Sequence, residues 1–244
     1  MTIAISAHSV PLTKREEMAE GTMAFHFVRP PDFQFRAGQH MVMTLLDPPE
    51  TDAEGNRRTF TIASAPFDGD LMIATRMRNT AFKRVLRNAA LGLEVKIQGP
   101  SGSFVLPQKA EKPTVLLAGG IGITPFFSMI RQATHDQAPD QIYLFYSNRR
   151  PEDTCFLDQL LEAAGRNPNF HLIATMTEMS KSRREWKGET SVINKEMLAK
   201  HLPAMQGPIY YTAGPPAMVT AMKGMLTDAG VNQADIRSEK FAGY

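Results

Sequence analysis

The pattern of hydrophobic and polar positions changes character near residue 107. Before that point, runs that mix β-forming and polar residues alternate with Gly, Pro, Asp or Asn, which predicts a series of short strands. The predicted strands are "TMAFHFVRP", "QHMVMTLL", "TFTIAS", "DLMIATRM" and "LEVKIQG". Many short strands within about 100 residues indicate an antiparallel barrel or sandwich. One helix, "TAFKRVLRNAA", interrupts them, with Phe82 and Leu86 on its apolar face and Asn79 or Thr80 as its N-cap.

After "PQKAEKP" the chain alternates between strands and helices. A buried strand, "TVLLAGGIG", runs into a glycine turn and then into the helix "TPFFSMIRQAT". The strands "QIYLFYS", "FHLIATMT" and "PIYYTAG" follow, each with a helical segment after it: "PEDTCFLDQLLEAA", "SVINKEMLAKHL" and "PPAMVTAMKGMLTDAG". This alternation predicts a doubly wound parallel sheet. We therefore expect a β-barrel domain at residues 1–108 and an α/β domain at residues 109–244.

Composition narrows the classes of protein that remain. A chain of 244 residues with 43% hydrophobic and 21% charged residues is globular, and a net charge of +2 does not indicate nucleic acid as a partner. The N-terminus lacks the pattern of a signal peptide, and no apolar run reaches the roughly 20 residues that span a membrane, so we expect a cytoplasmic protein. The single cysteine, Cys155, excludes an internal disulfide and a four-cysteine iron-sulfur site in this chain. The six histidines show no metal-site spacing, so no metal is expected.

The segment "LLAGGIGITPFF" places Gly119, Gly120 and Gly122 between a strand and a helix that begins near Thr124. Glycines let the backbone approach a diphosphate, and a helix N-terminus offers free N–H groups to it. The pattern is only part of G-x-G-x-x-G, so a purely structural turn is the alternative. The segment "YYTAGPPAMV" repeats the layout at a later strand end, where ligands of open sheets collect, although an ordinary loop has the same pattern.

In the first half, "RRTFTIASAP" opens a strand with two arginines. A diphosphate lying across the barrel would explain this pair, because Arg58 would form charge-assisted hydrogen bonds with it. Phe60 would offer a flat apolar face and Thr61 a hydroxyl. The alternative is an exposed arginine beside a core phenylalanine. Residues 76–87, "RMRNTAFKRVLR", hold five basic residues and no acidic one, which indicates a solvated helix face or a surface for phosphate or an acidic protein.

These segments together resemble the ferredoxin-NADP reductase family. "RRTFTIASAP" is similar to its R-x-[FY]-[ST] flavin motif, and "GPSGSF", "AGGIGITP" and "AGPPAMV" match its later motifs in order. The resemblance runs from "GQ" at residues 38–39 to the terminal "EKFAGY". It implies an FAD-binding antiparallel barrel followed by an NAD(P)-binding α/β domain, with hydride passing from NAD(P)H to the flavin.

The resemblance also implies roles for residues of the first domain. Arg58 would hold the FAD diphosphate, Phe60 would pack on the flavin or its ribityl chain, and Thr61 would hydrogen-bond near flavin N5. The second phosphate-binding segment would consist of Arg76, Thr80, Ala81 and Phe82.

In the second domain, the resemblance places the NAD(P) diphosphate and the nicotinamide side at Gly120, Gly122 and Thr124. The opposite wall would consist of Gly214, Pro215 and Met218. Many members carry a cysteine where this chain has Ala213. Tyr244 resembles the C-terminal aromatic residue that stacks over the flavin in some members, with a frayed tail as the alternative. Thr61, Thr124 and Tyr244 are thus the residues predicted to lie where the hydride is transferred.

The choice between NADH and NADPH depends on the end of the second parallel strand. An acidic residue that binds the ribose is expected about 20 residues after the glycine turn. Here the strand ends in "YSNRRPED", and Ser147 and Arg149 suit a 2′-phosphate, which favours NADPH. The alternative is that Arg149 and Arg150 are solvated residues at a helix start.

The sequence therefore predicts a flavoprotein that passes hydride from NAD(P)H to bound FAD and then electrons to an external acceptor such as ferredoxin or flavodoxin. An acidic carrier of this kind would dock at Lys83, Arg84 and Arg87. Two alternatives stay open: a reductase of free flavin, and an FAD-binding electron-transfer or sensor subunit without independent turnover.

Overall fold

The computed structural model describes residues 6–107 and 112–241. Its first half is a six-stranded antiparallel sheet in the order β4-β3-β6-β1-β2-β5. The strands are β1 (Ser6–Ala19), β2 (Thr22–Val28), β3 (His40–Leu45), β4 (Arg57–Thr61), β5 (Asp70–Arg76) and β6 (Glu94–Ser101). The sheet curls so that its edges meet where Ala63 N donates to Met72 O over 2.7 Å. The predicted antiparallel barrel is confirmed.

The barrel closes around side chains that alternate along its strands. In β3, for example, Met41, Met43 and Leu45 are buried while the residues between them are partly exposed, as the two-residue period of a strand requires. Helix α1 (Ala81–Asn88) contributes Phe82 and Leu86 to the same core. The Thr80 hydroxyl caps this helix by accepting from Lys83 N over 3.4 Å, so Thr80 and not Asn79 is the N-cap.

The second half is a five-stranded parallel sheet in the order β11-β10-β7-β8-β9. Its strands are β7 (Thr114–Gly119), β8 (Ile142–Asn148), β9 (Phe170–Met176), β10 (Ile209–Gly214) and β11 (Ile236–Lys240). The helices are α2 (Ile123–His135), α3 (Leu157–Arg166), α4 (Lys195–His201) and α5 (Pro216–Asp228). Leu116 packs with α2 and α3, while Leu117 packs with α4 and α5. Helices thus cover both faces of the sheet, which confirms the doubly wound fold.

Three details differ from the sequence prediction. The helix expected from Pro151 begins only at Leu157, because Pro151–Asp153 forms a single 3₁₀ turn and Phe156 takes a left-handed conformation with φ 63°. Helix α4 begins at Lys195, where the Asn194 side chain caps it. Strands β1 and β11 were not predicted. The polar run "TKREE" in β1 and the exposed positions of β11 obscure the apolar pattern in both.

The two sheets are held together by buried and charged contacts. Ser128 Oγ donates to Ser64 O over 2.6 Å, and Tyr211 OH donates to Val105 O over 2.9 Å. An ion pair joins Arg131 of α2 to Asp68 of the barrel. The domain boundary predicted at 108/109 lies outside the described residues. In the part of the chain that the structure describes, no helix is both long and apolar enough to cross a membrane.

Candidate functional site

A cavity of about 620 Å³ lies at the carboxyl ends of the parallel strands. We call it the strand-end cavity. The second domain lines it with Gly119, Gly120, Ser147, Asn148, Arg149, Thr177, Val192, Ile193, Pro215, Met218 and Met222. The barrel contributes Arg76 and Arg78. Ligands of open α/β sheets bind at this edge, and five residues predicted from sequence meet here: Gly120, Ser147, Arg149, Pro215 and Met218.

The glycine turn after β7 is shaped by its contact with β10. Residues Gly120–Gly122 form a 3₁₀ turn, α2 begins at Ile123, and Gly120 needs a left-handed conformation with φ 53°. A Cβ on Gly122 would lie 2.4 Å from Ala213 O, and one on Gly214 would lie 3.2 Å from Gly119 N. Gly122 and Gly214 do not line the strand-end cavity. Their smallness lets two neighbouring strand ends approach each other, which differs from the predicted contact with a ligand.

The two adjacent arginines at the end of β8 have different surroundings. Arg150 pairs with Glu20 and Asp153, each at 2.8 Å, and these hydrogen bonds raise the pKa of its guanidinium. Arg149 is 74% exposed at its side chain and reaches only Glu178, at 3.6 Å. Arg150 is therefore a structural residue that ties the domains together through Glu20, whereas Arg149 has its guanidinium available at the cavity.

Asn148 is a residue that sequence reasoning missed. It is 5% exposed, it lines the strand-end cavity, and neither atom of its side-chain amide has a hydrogen-bond partner among the described residues. Buried amides are nearly always paired, so an unpaired one in a cavity wall indicates a polar ligand. The sequence signal was a polar residue at the end of a buried parallel strand.

A second cavity, of about 200 Å³, lies beside the first and is called the barrel cavity. Six of its lining residues were predicted: Arg58, Phe60, Thr61, Arg76, Thr80 and Thr124. Eight others complete the lining: Glu54, Thr59, Ala74, Thr75, Arg78, Lys83, Ile121 and Phe241. Thr124 is buried, and its hydroxyl donates to Ile121 O over 3.1 Å. Strand β4, the start of α1 and the glycine turn thus all contribute to the lining of the barrel cavity.

Arg58 is already engaged by the chain's own acidic residues. Its Nη2 lies 2.9 Å from Glu54 Oε2 and 3.5 Å from Asp52 Oδ1. Its Nη1 donates to the backbone oxygens of Glu54, Gly55 and Arg57. The guanidinium lies over the Phe82 ring, 5.2 Å from its centroid, and Phe60 packs against the same ring. Phe82 is therefore a core residue under the arginine and not part of the cavity lining.

The start of α1 also holds a carboxylate. Ala81 N donates to Asp52 Oδ2 over 2.7 Å, and this bond is the main cause that lowers the pKa of Asp52. Glu50 of the same loop pairs with Arg84 of α1. Neither Asp52 nor Glu54 was recognised from the sequence, although the acidic segment "ETDAEGN" directly precedes the two arginines.

The basic face expected on α1 is largely absent. The Lys83 ammonium turns into the barrel cavity and donates to Arg76 O over 2.7 Å. Burial, and then repulsion by Arg78 and Arg58, lower the pKa of Lys83 to about 8. Arg84 is paired with Glu50, which leaves Arg87 as the exposed member of the predicted set of three. The helix does not present the continuous basic docking face that we expected.

Arg76 and Arg78 connect the two cavities, since both residues line both. Within residues 6–107 and 112–241, neither side chain has a hydrogen bond or an ion pair. Two unpaired cations thus lie at the junction, within reach of a ligand in either cavity. Arg76 had been predicted for the barrel side alone, and Arg78 had not been singled out.

Three predictions remain, which concern the C-terminal aromatic residue, the single cysteine and metal binding. Tyr244 lies outside the described residues, and the aromatic ring that the structure places at the barrel cavity near this end is Phe241. Phe241 N donates to Gly214 O over 3.1 Å. Cys155 is buried, and burial raises the pKa of its thiol. No group of metal-binding side chains occurs in the described part of the chain.

Comparisons with known proteins agree with this geometry. Residues 116–224 match the family described as oxidoreductase NAD-binding domain. The chain is 27% identical over 224 residues to the glycine betaine monooxygenase reductase subunit of Chromohalobacter salexigens, covering 90% of this chain and 60% of that one. It is 26% identical over 243 residues to NADH-cytochrome b5 reductase 2 of Lodderomyces elongisporus, covering 95% and 79%. The chain thus spans about three fifths of the first relative's length.

Solved structures share the whole fold. The flavohem-like FAD/NAD binding domain of nitric oxide dioxygenase from Vibrio cholerae superposes with a TM-score of 0.82 at 16% identity, covering 96% of this chain and 98% of that one. A ferredoxin NADP+ reductase from Neisseria gonorrhoeae, with bound FAD and NADP, gives 0.77 at 20% identity, with coverage of 96% and 97%.

The chain thus has the two-domain fold of these FAD- and NAD(P)-binding structures, and its second domain matches an oxidoreductase NAD-binding domain. This two-domain fold and the match of the second domain are what the resemblance to the ferredoxin-NADP reductase family implied.

Proposed function

We propose that the protein binds FAD in the barrel cavity and NADPH in the strand-end cavity, and that it passes a hydride from the nucleotide to the flavin. Electrons then leave singly for an external carrier such as a ferredoxin or flavodoxin. The observation that carries the proposal is the junction of the two cavities at Arg76 and Arg78. Two anionic ligands that must bring their reactive rings together need adjoining cavities and shared cations between them.

The residues of the barrel cavity fit FAD in chemical type. Arg58, Arg76, Arg78 and Lys83 supply positive charge for a diphosphate, while Phe60 and Phe241 supply apolar ring surface. The N-terminus of α1 adds a backbone donor at Ala81. Bound FAD would supply the acceptor for the hydride, and the hydride chemistry belongs to the cofactors. The chain's part is to hold, orient and shield them, with the hydroxyl groups of Thr61 and Thr124 in the wall of the barrel cavity.

Support for NADPH comes from the end of β8. Arg149 keeps its guanidinium exposed beside Ser147 at the cavity, while Arg150 is held by Glu20 and Asp153. No acidic side chain lines the strand-end cavity, so among the described residues none is placed there to accept from a ribose 2′-hydroxyl. A 2′-phosphate would instead gain a charge-assisted hydrogen bond from Arg149.

The acceptor is proposed from the names of the relatives and from general chemistry. One relative is called a monooxygenase reductase subunit and another a cytochrome b5 reductase. Both names describe proteins that reduce another protein. A small one-electron carrier is the corresponding partner for this chain, although α1 does not offer the basic docking face first expected.

The proposal is tested by anaerobic titration of the FAD-loaded protein with NADPH and, separately, with NADH. We expect the flavin absorbance to bleach at stoichiometric NADPH and only at a large excess of NADH. Equal bleaching by both would remove the NADPH preference. An FAD-loaded protein that neither nucleotide bleaches would support the sensor or subunit alternative instead.

A reductase of free flavin is the second candidate, and a specific observation favours it. The Asp52 carboxylate occupies the backbone donor at the start of α1, so a flavin without phosphates loses nothing there. The two candidates differ in whether the flavin stays bound. FAD that stays with the protein through gel filtration supports the reductase with bound FAD, and flavin that is released after each turnover supports the reductase of free flavin.

A further inference from the structure

We infer that the acidic loop between β3 and β4 is an internal ligand for the phosphate-binding position of the barrel cavity, and that FAD must displace it to bind. The loop spans residues 46–56 and carries Glu50, Asp52 and Glu54. The inference rests on the proposed function, because it concerns the same flavin site. It adds a competing contact within the protein that weakens FAD binding, and none of the sequence motifs indicates this contact.

The first argument is that Asp52 uses the donors that a phosphate would use. Its Oδ2 accepts from Ala81 N, the first backbone N–H of α1, and its Oδ1 lies 3.5 Å from Arg58 Nη2. A helix N-terminus next to an arginine is an anion site. Asp52 therefore takes the Ala81 donor and places its negative charge beside Arg58 Nη2, which itself donates to no described residue, so a phosphate cannot use the Ala81 donor while Asp52 stays.

The second argument is charge. Glu54 adds another carboxylate 2.9 Å from Arg58, so the guanidinium is compensated before any ligand arrives. A diphosphate that entered without moving the loop would meet two negative charges beside it, and like charges repel each other. Displacement of both carboxylates restores Arg58 as a free cation.

The third argument is size. The barrel cavity has about 200 Å³, and Glu54 forms part of its wall. Sites for ligands of drug size occupy about 300–1,000 Å³. Withdrawal of Glu54 would remove one residue from this wall. The loop thus limits both the charge and the volume of the site.

The loop is also built so that its tip can leave while its base stays. At the base, Leu45 N donates to Asn56 O and Asn56 Nδ2 donates to Leu45 O, each over 2.9 Å. Asp47 and Gly55 have left-handed backbones, with φ 42° and 71°. The tip contacts α1 and Arg58 through the polar interactions of Glu50, Asp52 and Glu54, which water can replace.

This arrangement has a kinetic consequence. If FAD enters only when the tip has left, the observed association rate reaches a plateau set by loop opening as the FAD concentration rises. It also has an equilibrium consequence, because carboxylates already compensate the partly buried Arg58 in the apoprotein and FAD must compete with them.

The test compares Asp52→Asn with the parent and with Glu50→Gln. Asparagine keeps an oxygen that can accept from Ala81 N, so this hydrogen bond to the start of α1 can survive while the negative charge is lost. Glu50→Gln removes one charge from the same loop without touching Ala81 N or Arg58. Apoproteins are titrated with FAD and with riboflavin by flavin fluorescence, association is followed by stopped flow, and thermal unfolding verifies the folds.

We expect Asp52→Asn to bind FAD about tenfold more tightly, as loss of one charge next to a diphosphate implies, and to raise the plateau of the association rate. Riboflavin affinity should match the parent, and Glu50→Gln, which frees the tip from Arg84 but leaves Asp52 on Ala81 N, should gain less FAD affinity than Asp52→Asn. Equal FAD affinity of the parent and Asp52→Asn, or a gain that riboflavin shares, overturns the inference alone. If neither protein binds FAD, the inference and the FAD-based function fail together.

Discussion

Gly122 lies so close to Ala213 that no side chain fits between them: a Cβ on the glycine would be 2.4 Å from the Ala213 carbonyl oxygen. The contact joins the turn after β7 to the end of β10. These are two neighbouring strand ends that support the strand-end cavity, so the spacing of the cavity floor depends on a residue that is not part of the cavity lining.

Gly122→Ala should therefore displace the turn. We expect the free energy of unfolding to fall by about 1–3 kcal/mol, as overpacking does, and the affinity for NADPH to fall with it. Denaturant unfolding and nucleotide titration measure the two effects. The matched control is Gly224→Ala in α5, where a Cβ meets nothing within 4 Å and where stability should rise by about 0.5–1 kcal/mol. A Gly122→Ala protein as stable as the parent would contradict this account of the turn.

Arg58 should be the main cation for the FAD diphosphate once the loop has moved. Arg58→Ala removes the cation that would form charge-assisted hydrogen bonds with the diphosphate and leaves the charges of Asp52 and Glu54 uncompensated by it, so FAD binding should weaken by about 10- to 100-fold, or roughly 1.5–3 kcal/mol. Equilibrium titration with FAD gives the change. Arg57→Ala, one residue away and exposed, should stay close to the parent. FAD affinity that is insensitive to Arg58 would remove the role assigned to it.

Lys83 should make FAD binding depend on pH. In the free protein the pKa of Lys83 is lowered to about 8, first by burial and then by Arg78 and Arg58. A neighbouring diphosphate favours the protonated amine, so its pKa rises on binding. FAD affinity should then be highest below pH 8 and should fall as pH rises through about 8. Titrations between pH 6.5 and pH 9.5, a range set around that pKa, measure the profile.

Stability of the apoprotein should change in the opposite direction. The unfolded chain keeps the Lys83 proton up to its ordinary pKa of 10.5, while the folded protein releases it near 8. Between these values the unfolded state binds more protons, so this residue makes the free energy of unfolding rise with pH. Lys83→Met should reduce the pH dependence of both the FAD affinity and the free energy of unfolding. An unchanged FAD profile in Lys83→Met would show that another group titrates.

Arg149 and Arg150 are neighbours with different expected roles, which makes them a matched pair. Arg149→Ala should raise the KM for NADPH by about 10- to 100-fold through loss of a charged hydrogen bond, and should leave the KM for NADH nearly unchanged. Arg150→Ala should act on stability instead, because it breaks the pairs with Glu20 and Asp153. Steady-state kinetics with a dye acceptor separate the two. Equal effects of Arg149→Ala on both nucleotides would contradict the 2′-phosphate assignment.

The sequence predicted the features that depend on local pattern. The apolar run that ends at Gly119 predicted a buried parallel strand, and in the structure all six residues of β7 are buried. Features that depend on contacts between distant segments were not predicted. Asp52 meets Ala81 across 29 positions, and no periodicity indicates that contact. Lys83 lies on the polar side of α1 in the helical pattern, but its long side chain folds back to Arg76 O, which only the packed barrel determines.

The most direct test of the central claim is single-turnover reduction of the FAD-loaded protein by NADPH that carries deuterium at one or the other C4 position. Direct hydride transfer between ligands held in the two cavities predicts that the flavin bleaches in one phase and that deuterium slows this phase for one of the two labelled nucleotides only. A flavin that NADPH does not bleach, or a bleaching rate that neither label changes when chemistry is the observed step, would contradict the account.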